Sequence, residues 1–528
     1  MFAGRARLLL LGVAAVVLVV HSLAYNFVTD DAFISFVYSR NLAEHGELSF
    51  NLGHPVEGYT NFSWTALLGL LMVVGIPPEL SSRVLGTICA LATLYFVFRA
   101  CERAFERATA WATIPALLLA CSSGFACWTS GGLETQLFTL ACAVAIDALV
   151  AAERDPKAMY RAGAALAVAA MTRPEGLLVA AVIGVVRLGS NALAKRWITR
   201  ADAIAIGVFV AIWAPWFAWR WHHYGWPFPN TYYVKASGRW SSPAMASQLR
   251  DNGLYYVWSW ARQTRAIYAL PLVALAFVGK PRTPRFVLAV TCMAVAVAYL
   301  IYAVSVGGDF MGLHRFIMPV FVATAILVVL GLEWLVSHAP KLRWLPPLLL
   351  VVAFAVTQLV LTIDSTRSCA GRICPNDHGI DSPAFLEVYT HDRAEIGKAM
   401  AGCFKDSDFS IVGGAGAQPY YGRMRAIDVF GLVSDRIAHD EPRVNPRAGH
   451  TKFGSPPLLA QYAPDFVFSC YEIHKTPAPP PLPCDTRFWR ARGYELVTMH
   501  VPGMLERGEY YTFLAKKDRH FECPGIVH

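Results

Sequence analysis

The sequence predicts a polytopic α-helical membrane protein that ends in a soluble α/β or α+β domain. Hydrophobic residues make up 55% of the 528 residues and charged residues only 16%, whereas soluble proteins average about 25% charged residues. Long apolar runs alternate with short polar runs as far as residue 364, and the remaining chain is polar. This pattern excludes a cytosolic enzyme, a secreted hydrolase or a nucleic-acid-binding protein, so we expect membrane lipids and no nucleic acid as partners.

Hydropathy predicts about eleven membrane-spanning helices, since one span needs about 20 mainly apolar residues. The predicted spans cover residues 8–24, 64–76, 82–100, 111–127, 134–152, 162–186, 201–219, 266–279, 284–304, 316–336 and 344–363. Ser22-Leu23-Ala24 also fits a signal-peptidase site, which would make the first segment a signal peptide. The many further spans favour an uncleaved membrane helix.

Basic residues predict the sidedness, because Lys and Arg accumulate in cytoplasmic loops. Arg5 and Arg7 place the N-terminus inside, and an odd number of spans then places the C-terminus outside. This topology puts further basic residues in cytoplasmic loops, namely Arg187, Lys195, Arg196, Arg200, Lys280, Arg282, Arg285, Lys341 and Arg343. We therefore expect a multi-pass protein of the cytoplasmic (inner) membrane whose C-terminal domain faces the periplasm.

The topology of residues 64–187 is less well determined by charge. Arg99, Arg103 and Arg107 would fit better inside, and Pro174 interrupts the span at 162–186. A broken or re-entrant helix there would restore the charge rule without changing the overall parity.

The composition divides the chain into a transmembrane domain, residues 1–364, and an extracytoplasmic domain, residues 365–528. Short β-rich runs at 409–412, 465–469 and 510–514, with a helical stretch at 382–400, predict the α/β or α+β class. Six of the twelve cysteines lie in the second domain, namely Cys369, Cys374, Cys403, Cys470, Cys484 and Cys523. An even number outside the cytoplasm, with no CxxC spacing, favours disulfides over zinc.

Polar residues beside the first span suggest chemistry. Asp30 and Asp31 form a carboxylate pair at the outer membrane boundary, ahead of an amphipathic stretch. One interpretation is a catalytic carboxylate that handles a proton or a developing positive charge. The other is helix capping, because acids favour the first turn of a helix. Spacing alone does not distinguish the two.

The same external loop continues with Glu57, Tyr59 and Asn61, whose carboxylate, aromatic ring and amide suit a sugar ligand. The aromatic belt at the membrane interface explains Tyr59 as well, but not Glu57 or Asn61.

Three later segments place charges inside or beside apolar runs. Arg173 and Glu175 flank Pro174, so Arg173 needs either an ion pair, with Glu134 or Glu175, or an anionic phosphate. Outward loops add cations that suit phosphate, with snorkelling to lipid headgroups as the alternative. These two loops contribute Arg220, Asn230 and Lys235, and Asp309 and Arg315. His222-His223 has no third ligand nearby, so we expect no metal site.

These motifs carry a family resemblance. The stretch TDDAFISFVYSRNLAEHGELSFNLGHPVEGYTNFSW at 29–64 resembles the opening of GT-C glycosyltransferases related to the mycobacterial terminal β-(1→2)-arabinofuranosyltransferase. Similar signatures follow in order, namely SGGLET, MTRPEG, WRWHHYGWPFPNTYYVKA, VGGDFMGLHRFIMP, DVFGLVSD and NPRAGHTK. The resemblance covers residues 28–470, and its first signature is the most specific.

The resemblance implies a GT-C-like membrane core that transfers D-arabinofuranose from decaprenyl- or undecaprenyl-phosphate to a cell-envelope glycan or a protein such as pilin. It implies a catalytic Asp in the first external loop, at Asp30 or Asp31, and no further cofactor. Its motifs also include His450 and Lys452, to which we assign substrate binding with the residues named above. The cysteine-rich tail departs from the family and leaves the acceptor open.

Two other functions stay open from the sequence. The first keeps the fold but uses another polyprenyl-phosphate sugar, such as mannose, glucose or aminoarabinose, on lipopolysaccharide. The second is a transporter of lipid-linked sugars. Transporters commonly contain inverted repeats and midplane charges, whereas this sequence shows no repeat and clusters its charges at one face, which favours a transferase.

Overall fold

The computed structural model describes residues 2–105, 109–280, 283–338, 344–371, 374 and 376–527. Helices α1 to α16 form the N-terminal part. They are α1 (Phe2–Leu23), α2 (Asp30–His45), α3 (Phe62–Val73), α4 (Pro78–Ala104), α5 (Ile114–Cys121), α6 (Ser123–Cys127), α7 (Thr135–Ala151), α8 (Met159–Thr172), α9 (Gly176–Leu193), α10 (Arg200–Tyr224), α11 (Asn230–Lys235), α12 (Pro243–Gln263), α13 (Leu270–Leu275), α14 (Pro284–Ser305), α15 (Met318–Ser337) and α16 (Leu345–Ser365).

Within the described residues, seven helices are long and apolar enough to cross a membrane, and four shorter apolar helices accompany them. Each of the eleven predicted segments overlaps at least one of these helices. The prediction of a polytopic helical membrane protein is therefore confirmed, although two segments differ in detail.

Side-chain pairs identify the two ends of the helical bundle. The C-terminal domain lies at one end, which we call the domain end, where the Tyr421 hydroxyl donates to Glu79 Oε1 at 2.7 Å. At the opposite end, Arg103 pairs with Asp147 at 2.8 Å. Arg7, at the start of α1, pairs there with Glu102.

Helix α3 does not connect the two ends, although the sequence predicts a span at 64–76. Asn61, just before α3, donates to Glu134 Oε2 at 2.9 Å, and Glu79, just after α3, bonds to the C-terminal domain. Both flanks of α3 therefore lie at the domain end.

The segment predicted as one interrupted span, 162–186, forms two antiparallel helices, α8 and α9. Arg161, near the start of α8, lies 3.8 Å from Asp147 at the opposite end. The turn at residues 173–175 lies at the domain end, and Arg187 of α9 returns to pair with Glu153 at 3.1 Å.

Compared with the prediction, α3 no longer connects the two ends of the bundle and α8 does, so the number of connecting segments is unchanged. The C-terminal end of α4 therefore lies at the end opposite the C-terminal domain. Arg99 and Arg103 then lie beside Arg7, as the charge rule requires. Several predicted cytoplasmic cations lie outside the described residues or side chains, namely Arg5, Arg107, Arg282, Lys341 and Arg343.

The C-terminal domain is a mixed six-stranded sheet with helices, as the sequence predicts. The strand order is β4-β3-β5-β7-β6-β8, with β3 parallel to β4 and β5 and the other pairs antiparallel. The strands are β1 (Asn376–Asp377), β2 (Ile380–Asp381), β3 (Ser410–Val412), β4 (Ala426–Asp428), β5 (Phe466–His474), β6 (Tyr494–His500), β7 (Tyr510–Lys516) and β8 (Ile526–Val527), and the helices are α17 (Pro383–Ala399), α18 (Ala417–Gly422), α19 (Asp435–Asp440), α20 (Pro456–Ala460) and α21 (Thr486–Arg490).

All six cysteines of this domain are disulfide-bonded, which confirms the prediction of disulfides. The pairs are Cys369–Cys374, Cys403–Cys523 and Cys470–Cys484. The other six cysteines are free.

Helix α2 joins the two domains. Phe33 and Phe36 belong to the core of the helical bundle, whereas Ile34, Val37 and Tyr38 belong to a core that continues into the central sheet. Asp30 and Asp31 lie in its first turn, and Gly46 ends it in the left-handed conformation. Because α2 is buried on two faces, its first turn is held rigidly between the bundle and the C-terminal domain.

Candidate functional site

The two aspartates at the start of α2 point in different directions, since successive side chains of an α-helix diverge by about 100°. Asp30 faces the C-terminal domain, where its Oδ1 accepts a hydrogen bond from the Ala417 backbone at 2.8 Å. Gly414 and Gly416 lie directly against its carboxyl group. A side chain on either glycine would collide with Asp30.

Burial raises the pKa of Asp30 to about 6. The Ala417 N–H and the charge of Arg393 oppose this shift, and the charge of Asp31 adds to it. Arg393 is itself buried, between the rings of Tyr389 and Tyr471. Asp30 is therefore part of the interface between the domains.

Asp31 faces a group of charged side chains instead. Within the part of the chain that the structure describes, no group donates a hydrogen bond to its carboxylate. Burial raises its pKa, the charges of Arg315 and Lys235 lower it, and those of Asp309 and Glu134 raise it. Asp31 is thus the carboxylate of the pair that is available to a ligand.

A cavity of about 280 Å³ lies beside this charged group. Its charged lining consists of Arg173, Glu175, Lys235, Asp309 and Arg315. Its apolar lining includes Leu177, Phe228 and Tyr232, which are 41%, 46% and 40% exposed. The cavity therefore combines a polar interior with an apolar rim.

Two of the three cations are paired with acids. Arg315 lies 3.0 Å from Asp309, and Arg173 lies 3.3 Å from Glu175 and 3.4 Å from Glu134. These pairs hold each guanidinium in place while leaving N–H groups for a ligand.

Lys235 differs from the two arginines. Among the described residues, no carboxylate lies within 4 Å of its ammonium group. Its charge lowers the pKa of both Asp31 and Asp309, which places it near both acids. Lys235 is therefore the cation most readily available to an anionic ligand.

Local sequence explains how these cations reach the cavity. Pro174 and the close approach of Gly176 to the backbone of Ala169 produce the tight turn that ends α8 at Arg173. Gly307 and Gly308 adopt positive φ angles of 84° and 77°, so the chain after α14 turns back and brings Asp309 to the wall.

Several predicted binding residues have polar partners outside the cavity lining. Glu57 pairs with Arg220, which also donates to the Pro227 carbonyl at 2.8 Å. The Tyr59 hydroxyl lies 3.0 Å from that of Tyr224. These side chains connect the segment between α2 and α3 to α10.

The amides and the tail residues are likewise engaged. Asn61 joins α2, α3 and α7 through Ser35, Thr65 and Glu134, and Asn230 donates to the Leu432 carbonyl at 3.3 Å. His450 lies between the rings of Phe310 and Phe430, and burial lowers its pKa to about 4. Lys452 donates to the Ala438 carbonyl at 2.5 Å. The assignment of substrate binding to these four residues, together with Glu57, Tyr59 and Arg220, stays a prediction.

Sequence analysis missed several residues of the site. Tyr302 lines the cavity and donates to Glu175 Oε1 at 3.3 Å, and Phe316 lies below the Arg173 guanidinium at 5.1 Å. Both lie in apolar runs, where an aromatic residue resembles ordinary membrane core. Arg393 belongs to the remote C-terminal domain, and no local pattern connects it with Asp30.

Among the described residues, no three His, Cys, Asp or Glu side chains cluster as a metal site requires.

The chain is similar in structure to ArnT from Cupriavidus metallidurans. The structure of ArnT bound to undecaprenyl phosphate is 16% identical, with a TM-score of 0.50, over 80% of this chain and 85% of that chain. The apo structure is 14% identical, with a TM-score of 0.55, over 97% and 98%. An oligosaccharyltransferase from Archaeoglobus fulgidus is 10% identical, with a TM-score of 0.47, over 80% and 64%.

No protein-family model and no curated protein matches the sequence. The likeness to ArnT along nearly the whole chain shows the fold. It confirms the predicted fold class, a polytopic α-helical membrane protein with a soluble C-terminal domain, in an arrangement like that of ArnT.

Proposed function

We propose that the protein is a membrane glycosyltransferase that takes a sugar from a polyprenyl-phosphate donor and transfers it to a hydroxyl of a cell-envelope acceptor. The observation that carries this proposal is the cavity at the domain end, which we call the donor cavity. The unpaired Lys235 lines it behind an apolar rim, and the unbonded carboxylate of Asp31 lies close enough to Lys235 and Arg315 for their charges to lower its pKa. The apolar rim suits a prenyl chain, the cations suit its phosphate, and Asp31 suits the acceptor hydroxyl.

In this mechanism the acceptor oxygen attacks the anomeric carbon of the sugar, and Asp31 takes the hydroxyl proton. The bond between the anomeric carbon and the phosphate oxygen breaks, and polyprenyl phosphate leaves with the electron pair. Lys235 and Arg315 stabilise the leaving phosphate, with Arg173 beside them. Asp30 holds the first turn of α2 against the C-terminal domain and thereby positions Asp31.

The family resemblance supports D-arabinofuranose as the sugar, carried on decaprenyl or undecaprenyl phosphate. The fold of ArnT, which has been solved bound to undecaprenyl phosphate, supports a lipid-phosphate donor without specifying the sugar. Polyprenyl-phosphate mannose, glucose and aminoarabinose are the competing donors.

Charge supports a site on the periplasmic side. The end of the bundle opposite the C-terminal domain contains Arg99, Arg103, Lys195 and Arg196, which favour the cytoplasm. The disulfides at the domain end favour an oxidising compartment. Cysteine variants labelled by a membrane-impermeant reagent in intact cells test this orientation. Labelling at position 239 with none at position 196 is expected, and the reverse pattern contradicts the proposal.

The transferase activity is tested with purified protein, synthetic polyprenyl-phosphate donors and an acceptor membrane fraction. We expect release of polyprenyl phosphate together with labelled sugar in the acceptor, and faster turnover of the arabinofuranose donor than of the hexose and aminoarabinose donors. Faster turnover of another donor would correct the sugar. Transport of intact donor across vesicles without release of polyprenyl phosphate would contradict the enzyme activity.

A further inference from the structure

A second cavity, of about 310 Å³, lies on the other side of Asp309. We call it the amide cavity, because its lining includes the side chains of Gln248, Asn252 and Asn445. Helix α12 supplies one wall, and the β1–β2 hairpin and residues 445–448 supply the others. Its volume is typical of a small-molecule pocket, which suits the end of a chain rather than a folded protein.

Asp309 lines both cavities and therefore lies in the wall between them. Of the two residues before it, Gly308 lines the donor cavity and Gly307 lines the amide cavity. In a second segment of the wall, Gly449 lines the donor cavity and Ala448 lines the amide cavity. The wall is thus only one or two residues thick at Asp309, whose charge also acts on Asp31, so a ligand in the amide cavity lies about one side chain away from the donor cavity.

The two cavities open into different surroundings. The donor cavity has an apolar aromatic rim, as described above, whereas Gln248 and His378 at the amide cavity are exposed polar residues. Arg447, also at this cavity, is tied to Asp381 at 2.6 Å. A water-soluble ligand therefore has access to the amide cavity, and a lipid-linked ligand has access to the donor cavity.

The lining of the amide cavity suits an uncharged, hydroxyl-rich ligand. Asn252 donates one hydrogen bond to the Pro446 carbonyl at 3.0 Å, and the side-chain oxygen of Asn445 accepts one from the Arg447 N–H at 3.1 Å. Each amide has further donor and acceptor positions, and the one arginine of the lining is neutralised by Asp381. Phe310, which is half-buried, offers an aromatic face against which a sugar ring can pack. Tyr256 is only 1% exposed and is packed within the wall of the cavity.

We propose that the amide cavity binds the terminal saccharide of a glycan acceptor and presents its hydroxyl at the Asp309 wall to the donor sugar. This inference rests on the proposed transferase function and specifies its acceptor as a neutral glycan rather than a protein. The amides select sugar hydroxyls, and Phe310 supplies an aromatic face for the ring.

The test blocks the mouth of the amide cavity without touching the donor cavity. Gln248→Trp fills the mouth, and Ser247→Trp places the same side chain on the neighbouring exposed position of α12, outside the lining. Asn252→Ala removes one hydrogen-bonding group. The natural acceptor comes from membranes of source cells that lack the native gene. Each variant and the labelled donor are added to these membranes.

We expect Gln248→Trp to reduce transfer more than tenfold, while Ser247→Trp transfers like the native protein. Asn252→Ala should raise the KM for the acceptor about fivefold, because the loss of one hydrogen bond weakens binding by about that factor. The Kd of the purified variants for the labelled donor should change less than twofold. The transferred label should resist protease and appear in the glycan fraction.

Two results would overturn the inference while leaving the transferase function intact. One is transfer by Gln248→Trp at the rate of Ser247→Trp, and the other is label recovered in protease-sensitive protein. Absence of donor binding by the native protein would instead contradict the proposed function itself.

Discussion

The Ala417 N–H donates a hydrogen bond to Asp30 Oδ1 over 2.8 Å, across the boundary between the C-terminal domain and helix α2. This contact joins two residues that are 387 positions apart in the chain. It turns Asp30 away from the donor cavity and leaves Asp31 as the carboxylate that faces the cations. The C-terminal domain therefore contributes to the arrangement of the site.

Substitution of the two aspartates should separate their roles. We expect Asp31→Asn to lower turnover about 10²- to 10⁴-fold, the range for loss of a general base. Asp30→Asn keeps an oxygen for the Ala417 N–H, so we expect less than a tenfold loss. Release of polyprenyl phosphate from a synthetic donor measures both rates. Equal effects, or a larger effect at Asp30, would contradict the assignment of Asp31 as the base.

Removal of the unpaired cation should weaken donor use. Lys235→Met should lower kcat/KM for the donor about 10- to 100-fold, because a hydrogen bond to a charged group contributes about 1.5–3 kcal/mol. Lys235→Arg should retain part of this activity. Arg239→Met removes an exposed cation four positions away and serves as the control. Equal activity of Lys235→Met and Arg239→Met would exclude Lys235 from phosphate binding.

The glycine loop beside Asp30 offers a matched pair of substitutions. A methyl group at Gly416 would collide with the Asp30 carboxyl group, whereas one at Gly413 would lie 4.0 Å from its nearest neighbour, Tyr471. We expect Gly416→Ala to destabilise the protein by about 1–3 kcal/mol, as overpacking does, and to reduce turnover. Gly413→Ala should do neither. Thermal unfolding in detergent and donor turnover provide the two measurements, and indistinguishable variants would contradict the interdomain contact.

The raised pKa of Asp30 should make stability depend on pH. Because the folded-state pKa is about 6 against an ordinary value of 3.8, the folded protein binds the Asp30 proton more tightly than the unfolded chain does. Stability from this group is fully present below pH 3.8 and is lost as the pH rises through 6, a change of about 3 kcal/mol at most. The Tm of the native protein minus that of Asp30→Asn should therefore fall between pH 4 and pH 7. A constant difference would show that Asp30 does not titrate in this range.

Composition and hydropathy were sufficient for the fold class. A membrane span must be long and apolar whatever it packs against, so the apolar segments are visible in the sequence. The choice between α3 and α8 as connecting helices was not visible, because hydropathy does not distinguish a short helix that remains at one end from one that connects both ends. The Arg103–Asp147 pair at 2.8 Å and the turn at Arg173 decide it.

Charged residues in apolar surroundings could be picked out from the chain alone as candidates for the site, since an isolated charge there is too costly without a partner or ligand. Which of these charges have protein partners became visible only in the folded structure. Arg220 and Glu57 form an ion pair across 163 positions, whereas Lys235 stays unpaired among the described residues and Asp31 stays unbonded. Packing between residues far apart in the sequence determines these contacts. Asp30 and Asp31 differ because adjacent side chains of a helix point about 100° apart, so that Asp30 reaches the C-terminal domain and Asp31 does not.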